Sequence, residues 1–191
     1  MYEYIKGILT EAAPTYAVVD CGGVGYYINI SVNTYSKISQ VKEVCLFVHL
    51  IVREDAHLLY GFFAKEERTL FRQLISVSGI GANTASVMLS SMTSGEIVQA
   101  IVTENVNAIK SVKGIGLKTA QRVIIELKDK VGTSAASDGV MFTANTVKEE
   151  ALGALVMLGF VKAQASKVLD KLVAGGVVTV EELIKQALKQ L

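Results

Sequence analysis

The sequence predicts a multidomain α+β protein, on three observations. Residues 1–63 contain short runs rich in Val, Ile, Tyr and Phe, separated by turn residues, which is typical of β-strands. Residues 64–132 have helical spacing and contain the tripeptide Gly-Ile-Gly twice, at 79–81 and 114–116, an offset of 35 residues. Helical spacing returns over residues 146–191, after a stretch that lacks it. We therefore expect a β-domain, a helical domain, a linker and a small helical bundle.

The N-terminal domain is predicted to be a small closed β-barrel. Gly22-Gly23 supplies a hairpin turn between the second and third strands, and Pro14 lies in the loop before the second. About five strands in about 60 residues are typical of a barrel of the oligonucleotide-binding (OB) type. The predicted strands cover residues 2–10, 16–21, 26–30, 44–52 and 58–62.

Two adjacent carboxylates, Glu54 and Asp55, lie between the last two predicted strands. Such a pair can bind a metal ion or act in catalysis, and it can also be a solvated hairpin tip. The only histidines, His49 and His57, do not supply the ligand spacing of a metal site, which favours the solvated tip. The sequence accordingly predicts no metal site and no cofactor.

The two glycine turns, Gly79-Ile80-Gly81 and Gly114-Ile115-Gly116, are the strongest functional signal in the sequence. Each lies between two apolar helical runs, and the repeat indicates a duplicated helix-hairpin-helix unit. Glycine lets the backbone turn tightly and approach a ligand closely, while the isoleucine can anchor the turn in the core. The helix that follows directs its unpaired N-terminal amides at the same point, which suits a phosphate. A purely structural role for the turns is the alternative.

Side chains beside the second turn support a DNA contact. Lys118 and Arg122 are four residues apart and share the outward face of the helix that begins at Leu117. Asn83 and Thr119 complete the predicted DNA-contacting set. Paired helix-hairpin-helix units bind the DNA backbone without reading bases, because phosphate contacts carry no sequence information. The core-facing positions of this helix are predicted at Leu117, Ala120, Ile124, Leu127 and Val131.

Charge and composition are consistent with a nucleic-acid contact in the central domain only. The net charge is +1, but residues 64–132 carry nine Lys and Arg against six Asp and Glu. Cys21 and Cys45 show no paired spacing and are interpreted as reduced thiols of an intracellular protein. The N-terminus lacks a signal-peptide pattern, and no apolar run reaches about 18 residues. We expect a cytoplasmic protein without a membrane contact.

The sequence of the C-terminal part contains no recognisable catalytic or metal-binding motif. Residues 133–145 are small and polar and are predicted to form a flexible linker. Residues 146–191 are predicted to form three helices, two of them opened by the capping pairs Thr146 with Glu149 and Thr179 with Glu182. So small a tethered bundle is typical of a domain that contacts another protein, and a stabilising appendage is the alternative.

With these parts in order, the sequence closely resembles the RuvA family, bacterial proteins that bind Holliday junctions. The resemblance covers nearly the whole chain. It rests on GGVGYYI at 22–28, VREDAHLLYGF at 52–62, ERTLFRQLISVSGIGANTA at 67–85, VKGIGLKTAQRVIIELKDK at 112–130 and ALGALVMLGF at 151–160.

The resemblance implies a homotetramer with fourfold symmetry on a four-armed junction, with one or two tetramers enclosing it. It implies partnership with the ATPase RuvB, which pumps the arms, and with the resolvase RuvC. Glu54 and Asp55 would lie at the crossover as an acidic pin that repels phosphates and keeps separated strands apart. The C-terminal bundle would bind RuvB through Leu155, Leu158 and Phe160.

The sequence departs from its family just after each glycine turn, where relatives often carry a basic residue. Asn83 and Leu117 occupy those places here. The missing charge predicts a shallower salt dependence of DNA binding, unless Lys110 and Lys113 compensate.

Three other functions are compatible with parts of the sequence. A helix-hairpin-helix DNA glycosylase would need a catalytic residue such as Asp129, which lies in a charged helix end and is expected to be solvated. A motor would need a Walker loop, and residues 116–119 lack its pattern. A protein-interaction scaffold with inactive hairpins would show no preference for four-way DNA. We expect a non-catalytic DNA-binding subunit.

Overall fold

The structure, a computed structural model, describes residues 2–132, 144–177 and 179–191. The chain divides into two compact units, residues 1–136 and 137–191, and each is described by itself. Most of the linker predicted over residues 133–145 lies outside the described residues. Within the described ranges, no helix is both long enough and apolar enough to cross a membrane.

Five strands close into a barrel in the order β1-β2-β3-β5-β4, which confirms the predicted fold of the N-terminal domain. The β3–β5 pairing is parallel and the others are antiparallel. Alternate residues point inward, so Ala17, Val19, Ile28, Leu46 and Val48 fill the interior. The strands are β1 (Tyr4–Ala13), β2 (Tyr16–Cys21), β3 (Val24–Ile30), β4 (Glu43–Val52) and β5 (His57–Phe62).

The all-β prediction for residues 1–63 was wrong at one point, because a short helix, α1 (Val32–Ile38), connects β3 to β4. Ser31 caps it by accepting a hydrogen bond from the Thr34 amide. The Asn33 side chain donates to the carbonyl oxygens of Leu89 and Met92, at 2.7 and 3.1 Å. The helix therefore joins the barrel to the helical domain, and seven residues are too few for a periodic sequence signal.

The helical domain contains α2 (Lys65–Ile75), α3 (Ala82–Ser91), α4 (Ser94–Val102), α5 (Val106–Lys110) and α6 (Leu117–Gly132). Thr93 and Glu96 form a reciprocal capping box at the start of α4. The Asn105 side chain caps α5 by accepting a hydrogen bond from the Ala108 amide. Leu117 was predicted to face the core, and this prediction was wrong. It is the first residue of α6 and is 49% exposed, whereas Val123 is fully buried.

Helix α2 packs the helical domain against the barrel within the same unit. The Phe71 ring contacts the rings of Tyr60 and Phe62, with centroids 5.2 and 4.9 Å apart. The buried Arg68 donates to the carbonyl oxygen of Glu3 at 2.6 Å, and Glu67 accepts from Lys37 at 2.6 Å. Aromatic packing and buried charged hydrogen bonds thus fix the orientation of the barrel relative to the hairpins.

The second unit is a bundle of three helices over its described residues, as predicted. They are α7 (Ala144–Met157), α8 (Lys162–Ala174) and α9 (Val180–Ala187). Thr179 accepts a hydrogen bond from the Glu182 amide at 3.4 Å and so caps α9. The side chain of Thr146, the other predicted cap, lies outside the described residues. The core contains Ala151, Leu155, Ala165, Leu169, Leu172, Leu183 and Ala187.

Candidate nucleic-acid interface

The first hairpin joins α2 to α3 through Gly79-Ile80-Gly81. Gly79 has φ +96°, a left-handed conformation that glycine adopts without strain. Ile80 is 4% exposed and anchors the turn in the core, while its amide donates to the carbonyl oxygen of Val77 at 3.0 Å. Gly81 is the N-cap of α3, and no side chain caps the helix. The first-turn amides of α3 are therefore left available to an anion.

The second hairpin joins α5 to α6 and has several hydrogen bonds equivalent to those of the first. Gly114 has φ +92°, and Ile115 is 6% exposed. The Ile115 amide donates to the Val112 carbonyl oxygen at 3.1 Å, the counterpart of the Ile80 bond at an offset of 35 residues. In both hairpins a serine hydroxyl, of Ser76 or Ser111, donates to a carbonyl oxygen three residues earlier. The duplication seen in the sequence is therefore a duplication of geometry.

Helix α6 brings the two turns together. Arg122 Nη1 donates to the main-chain carbonyl oxygen of Ser78, in the first hairpin, at 3.2 Å. A Cβ placed on Gly79 would lie 3.6 Å from the side chain of Thr119. Thr119 and Arg122, both predicted from the second hairpin, therefore lie against the first. The Arg122 Nε is 4.0 Å from Glu126, so part of its charge is balanced within α6.

Asn83 lies at the start of α3 and is bonded to the barrel. Its Oδ1 accepts a hydrogen bond from the hydroxyl of Tyr60, on β5, at 3.2 Å. The offset of 35 residues makes Asn83 the counterpart of Lys118, at the same position of α6, and Leu117 the counterpart of Ala82. The pairing of Asn83 with Leu117 is therefore corrected, and a basic residue is missing at this position of the first hairpin only. The two hairpins thus present different donors at equivalent places, an amide in the first and an ammonium in the second. Lys110, Lys113 and Lys118 are all exposed.

The acidic pair lies in the tight turn between β4 and β5. The Arg53 amide donates to the Ala56 carbonyl oxygen at 2.8 Å and closes the turn, and Glu54 and Asp55 are both exposed at its tip. No group of three potential metal ligands occurs among the residues that the structure describes. The observed geometry is the solvated hairpin tip favoured by the sequence.

The three residues predicted to bind a partner differ in exposure. Leu158 is 61% exposed and Phe160 is partly buried, but Leu155 is fully buried in the core of the bundle. Leu155 is therefore corrected from a contact residue to a core residue, since a side chain inside the fold cannot touch a docked partner. The neighbouring Met157 and Val161, which were not among the predicted residues, are 91% and 61% exposed. The only sign of them in the sequence is that both are apolar residues close to Leu158.

Each of the three parts of the chain matches the model of a known protein family. Residues 1–61 match the family model for the RuvA N terminal domain, and residues 146–191 match that for the RuvA C-terminal domain. Residues 71–129, which contain both hairpins, match the SAM-like helix-hairpin-helix tandem. A relative from Christiangramia forsetii is 52% identical over 193 residues, which span the whole of both chains. The chain belongs to the RuvA family.

Other RuvA relatives agree over the same span. Proteins from Bacteroides thetaiotaomicron and Porphyromonas gingivalis are 51% and 45% identical, again over the whole of both chains. All three relatives are named Holliday junction branch migration complex subunit RuvA. The resemblance to the RuvA family read from the sequence is thereby confirmed.

Proposed function

We propose that this chain binds four-way DNA junctions and is the non-catalytic DNA-binding subunit of a branch-migration complex. The observation that carries the proposal is the pair of equivalent glycine hairpins, joined by the bond from Arg122 to Ser78. Two anion-binding turns held side by side suit successive phosphates of one DNA arm. Membership of the RuvA family supports the assignment, because its relatives carry that name.

The hairpins would hold DNA through groups that do not distinguish bases. The main-chain amides after Gly81 and Gly116 would donate to phosphate oxygens, and Lys118 and Arg122 would add positive charge. Asn83 and Thr119 would contribute neutral hydrogen bonds beside them. Since none of these contacts reaches a base edge, binding should be largely independent of arm sequence.

Four copies would match the four arms of an open junction. Each subunit of such a homotetramer would place Glu54 and Asp55 at the tip of its β4–β5 turn near the crossover. Their negative charge would repel phosphates there and help keep separated strands apart, while the hairpins hold the arms. A second tetramer on the opposite face of the DNA is part of the same proposal.

Each domain would then have a separate role. Residues 1–63 would form the barrel with the pin, 64–132 the DNA-binding domain and 146–191 the domain that binds the RuvB ATPase. The exposed apolar residues Met157, Leu158 and Val161 support a protein contact in the last domain. The resolvase RuvC would act on the same junction.

A gel-shift competition tests the function. The purified chain is offered a labelled four-way junction against unlabelled linear duplex of the same arm sequence, and the competition is repeated with a second, unrelated sequence. We expect strong preference for the junction with both sequences, and a tetramer or octamer by mass measurement on the junction. Equal affinity for linear duplex would support the scaffold alternative, and base release from damaged duplex would support the glycosylase alternative.

A further inference from the structure

Tyr60 is a barrel residue that touches the DNA-facing end of the first hairpin. Its ring is 4% exposed and stacks on Phe71, with an interplanar angle of 30°. Its strand, β5, is paired with β4 at His49. The ring is therefore buried against Phe71, and its hydroxyl reaches the start of α3, where it donates to Asn83 Oδ1 at 3.2 Å.

In the structure this hydrogen bond uses the oxygen of the Asn83 amide and leaves its nitrogen unbonded to Tyr60. A carboxamide has one accepting oxygen and one nitrogen with two donating hydrogens. Because the Tyr60 hydroxyl donates to the oxygen, the nitrogen is directed away from Tyr60. Asn83 itself is exposed and is the second residue of α3, beside the uncapped first-turn amides. The side chain thus adds two N–H donors to a group of main-chain donors.

The duplicated hairpin allows the Asn83 side chain to be compared with the residue at the equivalent position. The equivalent position of the second hairpin is Lys118, whose charge and three rotatable N–H donors would bind a phosphate in any rotamer that reaches it. An asparagine has no charge and is useful to an anion only with its nitrogen turned outward. With its oxygen outward it would repel a phosphate. A neutral side chain at this position therefore needs a neighbour that sets its orientation.

We propose that Tyr60 is a positioning residue for DNA binding: its hydroxyl holds the Asn83 carboxamide with the nitrogen toward the phosphate, so that an oriented amide serves in the first hairpin where an ammonium serves in the second. The inference rests on the proposed junction-binding function. It also assigns a role to the barrel in the affinity of the hairpins, since Tyr60 lies on the strand that leads from the acidic pair.

A double-mutant cycle tests the coupling. The variants Tyr60→Phe, Asn83→Ala and the double variant are compared with the parent for affinity to a four-way junction at several salt concentrations. Tyr60→Phe keeps the ring and its stacking, and removes only the hydroxyl. We expect Tyr60→Phe to weaken binding by at least about threefold, as expected for the loss of one oriented neutral hydrogen bond. The double variant should bind no more weakly than Asn83→Ala alone, because the hydroxyl acts only through Asn83.

A second background separates positioning from a general effect on the fold. In an Asn83→Lys chain the ammonium needs no orientation, so adding Tyr60→Phe should leave affinity unchanged. The slope of log affinity against log salt concentration provides a further measurement. Tyr60→Phe should not change this slope, because no charge is lost. Lys118→Ala should make it shallower by about one per phosphate contact. Tyr16→Phe is the matched control, since that hydroxyl bonds Glu11 on the barrel.

The outcomes are distinct. If the parent chain does not prefer a four-way junction, the proposed function fails and takes this inference with it. If the parent binds junctions but Tyr60→Phe has the same affinity, or weakens binding equally in the Asn83→Ala and Asn83→Lys backgrounds, the positioning role is overturned while the function stands. Thermal unfolding of each variant identifies any loss that arises from the fold.

Discussion

The guanidinium of Arg122 donates a hydrogen bond from Nη1 to the main-chain carbonyl oxygen of Ser78, at 3.2 Å. The two residues belong to different copies of the duplicated hairpin. The bond therefore links the two glycine turns, which we propose to bind phosphates, and it places a cation between them. Phosphate spacing along DNA is regular, so a fixed separation of the turns favours simultaneous contacts.

Replacing Arg122 tests this arrangement. We expect Arg122→Ala to weaken junction binding by about tenfold or more and to make the salt dependence shallower by about one phosphate contact per subunit. The free energy of unfolding should change by less than about 1 kcal/mol, because the bond is solvent-exposed. Lys42→Ala, an exposed cation on the barrel, is the charge-matched control and should affect neither quantity strongly. Unchanged affinity and slope for Arg122→Ala would show that the residue acts only within the fold.

The two glycines of the first hairpin should respond oppositely to substitution. Gly79→Ala should lower the free energy of unfolding by about 1–2 kcal/mol, because φ of +96° is strained for any residue with a Cβ. Gly81 has φ −88° and ψ 170°, and nothing lies within 4 Å of a Cβ built there. Gly81→Ser should therefore raise the free energy of unfolding by a few tenths of a kcal/mol as an N-cap.

The same serine should weaken DNA binding. Its hydroxyl would accept a hydrogen bond from a first-turn amide of α3, and that amide would no longer be free for a phosphate. We expect urea unfolding and junction titration to move in opposite directions for Gly81→Ser. A variant that is both more stable and equally tight in binding would contradict a role for these amides in phosphate binding.

Neutralising the acidic turn should affect strand separation more than binding. The variant Glu54→Gln with Asp55→Asn should fold with unchanged stability, since both side chains are exposed. Junction affinity should be retained or increased, because repulsion of phosphates is removed. Fluorescence of a base analogue at the crossover, and branch-migration rate with the motor, should both change. Glu43→Gln, at the other end of β4, is the control. A collapse of binding in the double variant would contradict the pin assignment.

Substituting the exposed apolar residues at the end of α7 should weaken partner binding without destabilising the fold. Met157 is 91% exposed, so Met157→Ser should leave the stability of the second unit unchanged and weaken its binding to the RuvB ATPase. Leu155→Ala, in the core, should instead destabilise this unit by about 2–5 kcal/mol. Calorimetric titration with the ATPase and thermal unfolding separate the two effects. Full ATPase affinity in Met157→Ser with Leu158→Ser would place the contact elsewhere.

Stability should depend on pH through His49. Burial lowers the pKa of His49 below its ordinary value, and the charges of Arg72 and Arg68 lower it further. Its Nδ1 also accepts a hydrogen bond from Arg72 Nε at 3.3 Å, which requires that nitrogen to be unprotonated. The unfolded chain therefore binds this proton more readily than the folded one. The free energy of unfolding should fall as the pH drops through about 6.5 and level off below the lowered folded pKa.

Urea unfolding at pH 7.5 and pH 5.5 measures this dependence. The variant His49→Gln keeps an acceptor for Arg72 and cannot be protonated, so its stability should change less between the two pH values than that of the parent. An equal change in parent and variant would assign the dependence to other groups.

The residues that could be predicted are those whose signal is local. Alternation of apolar and polar residues predicts the strands, and the repeated Gly-Ile-Gly at a constant offset predicts both hairpins with their left-handed glycines. The capping pair Thr93 and Glu96 is likewise contained in four consecutive residues. Such features depend on dihedral preferences and hydrogen bonds between near neighbours, which the sequence displays directly.

The contacts that complete the candidate site depend on packing between distant segments. Tyr60 meets Asn83 across 23 residues and Arg122 meets Ser78 across 44, and no periodic pattern connects either pair. Helical spacing also could not distinguish the buried Val123 from the exposed Leu117, or show that Leu155 lies inside its bundle. The sequence determined all the elements except α1, together with the duplicated turns and the family. Only the tertiary structure decided which side chains meet, because such contacts depend on how the barrel and helices pack against one another.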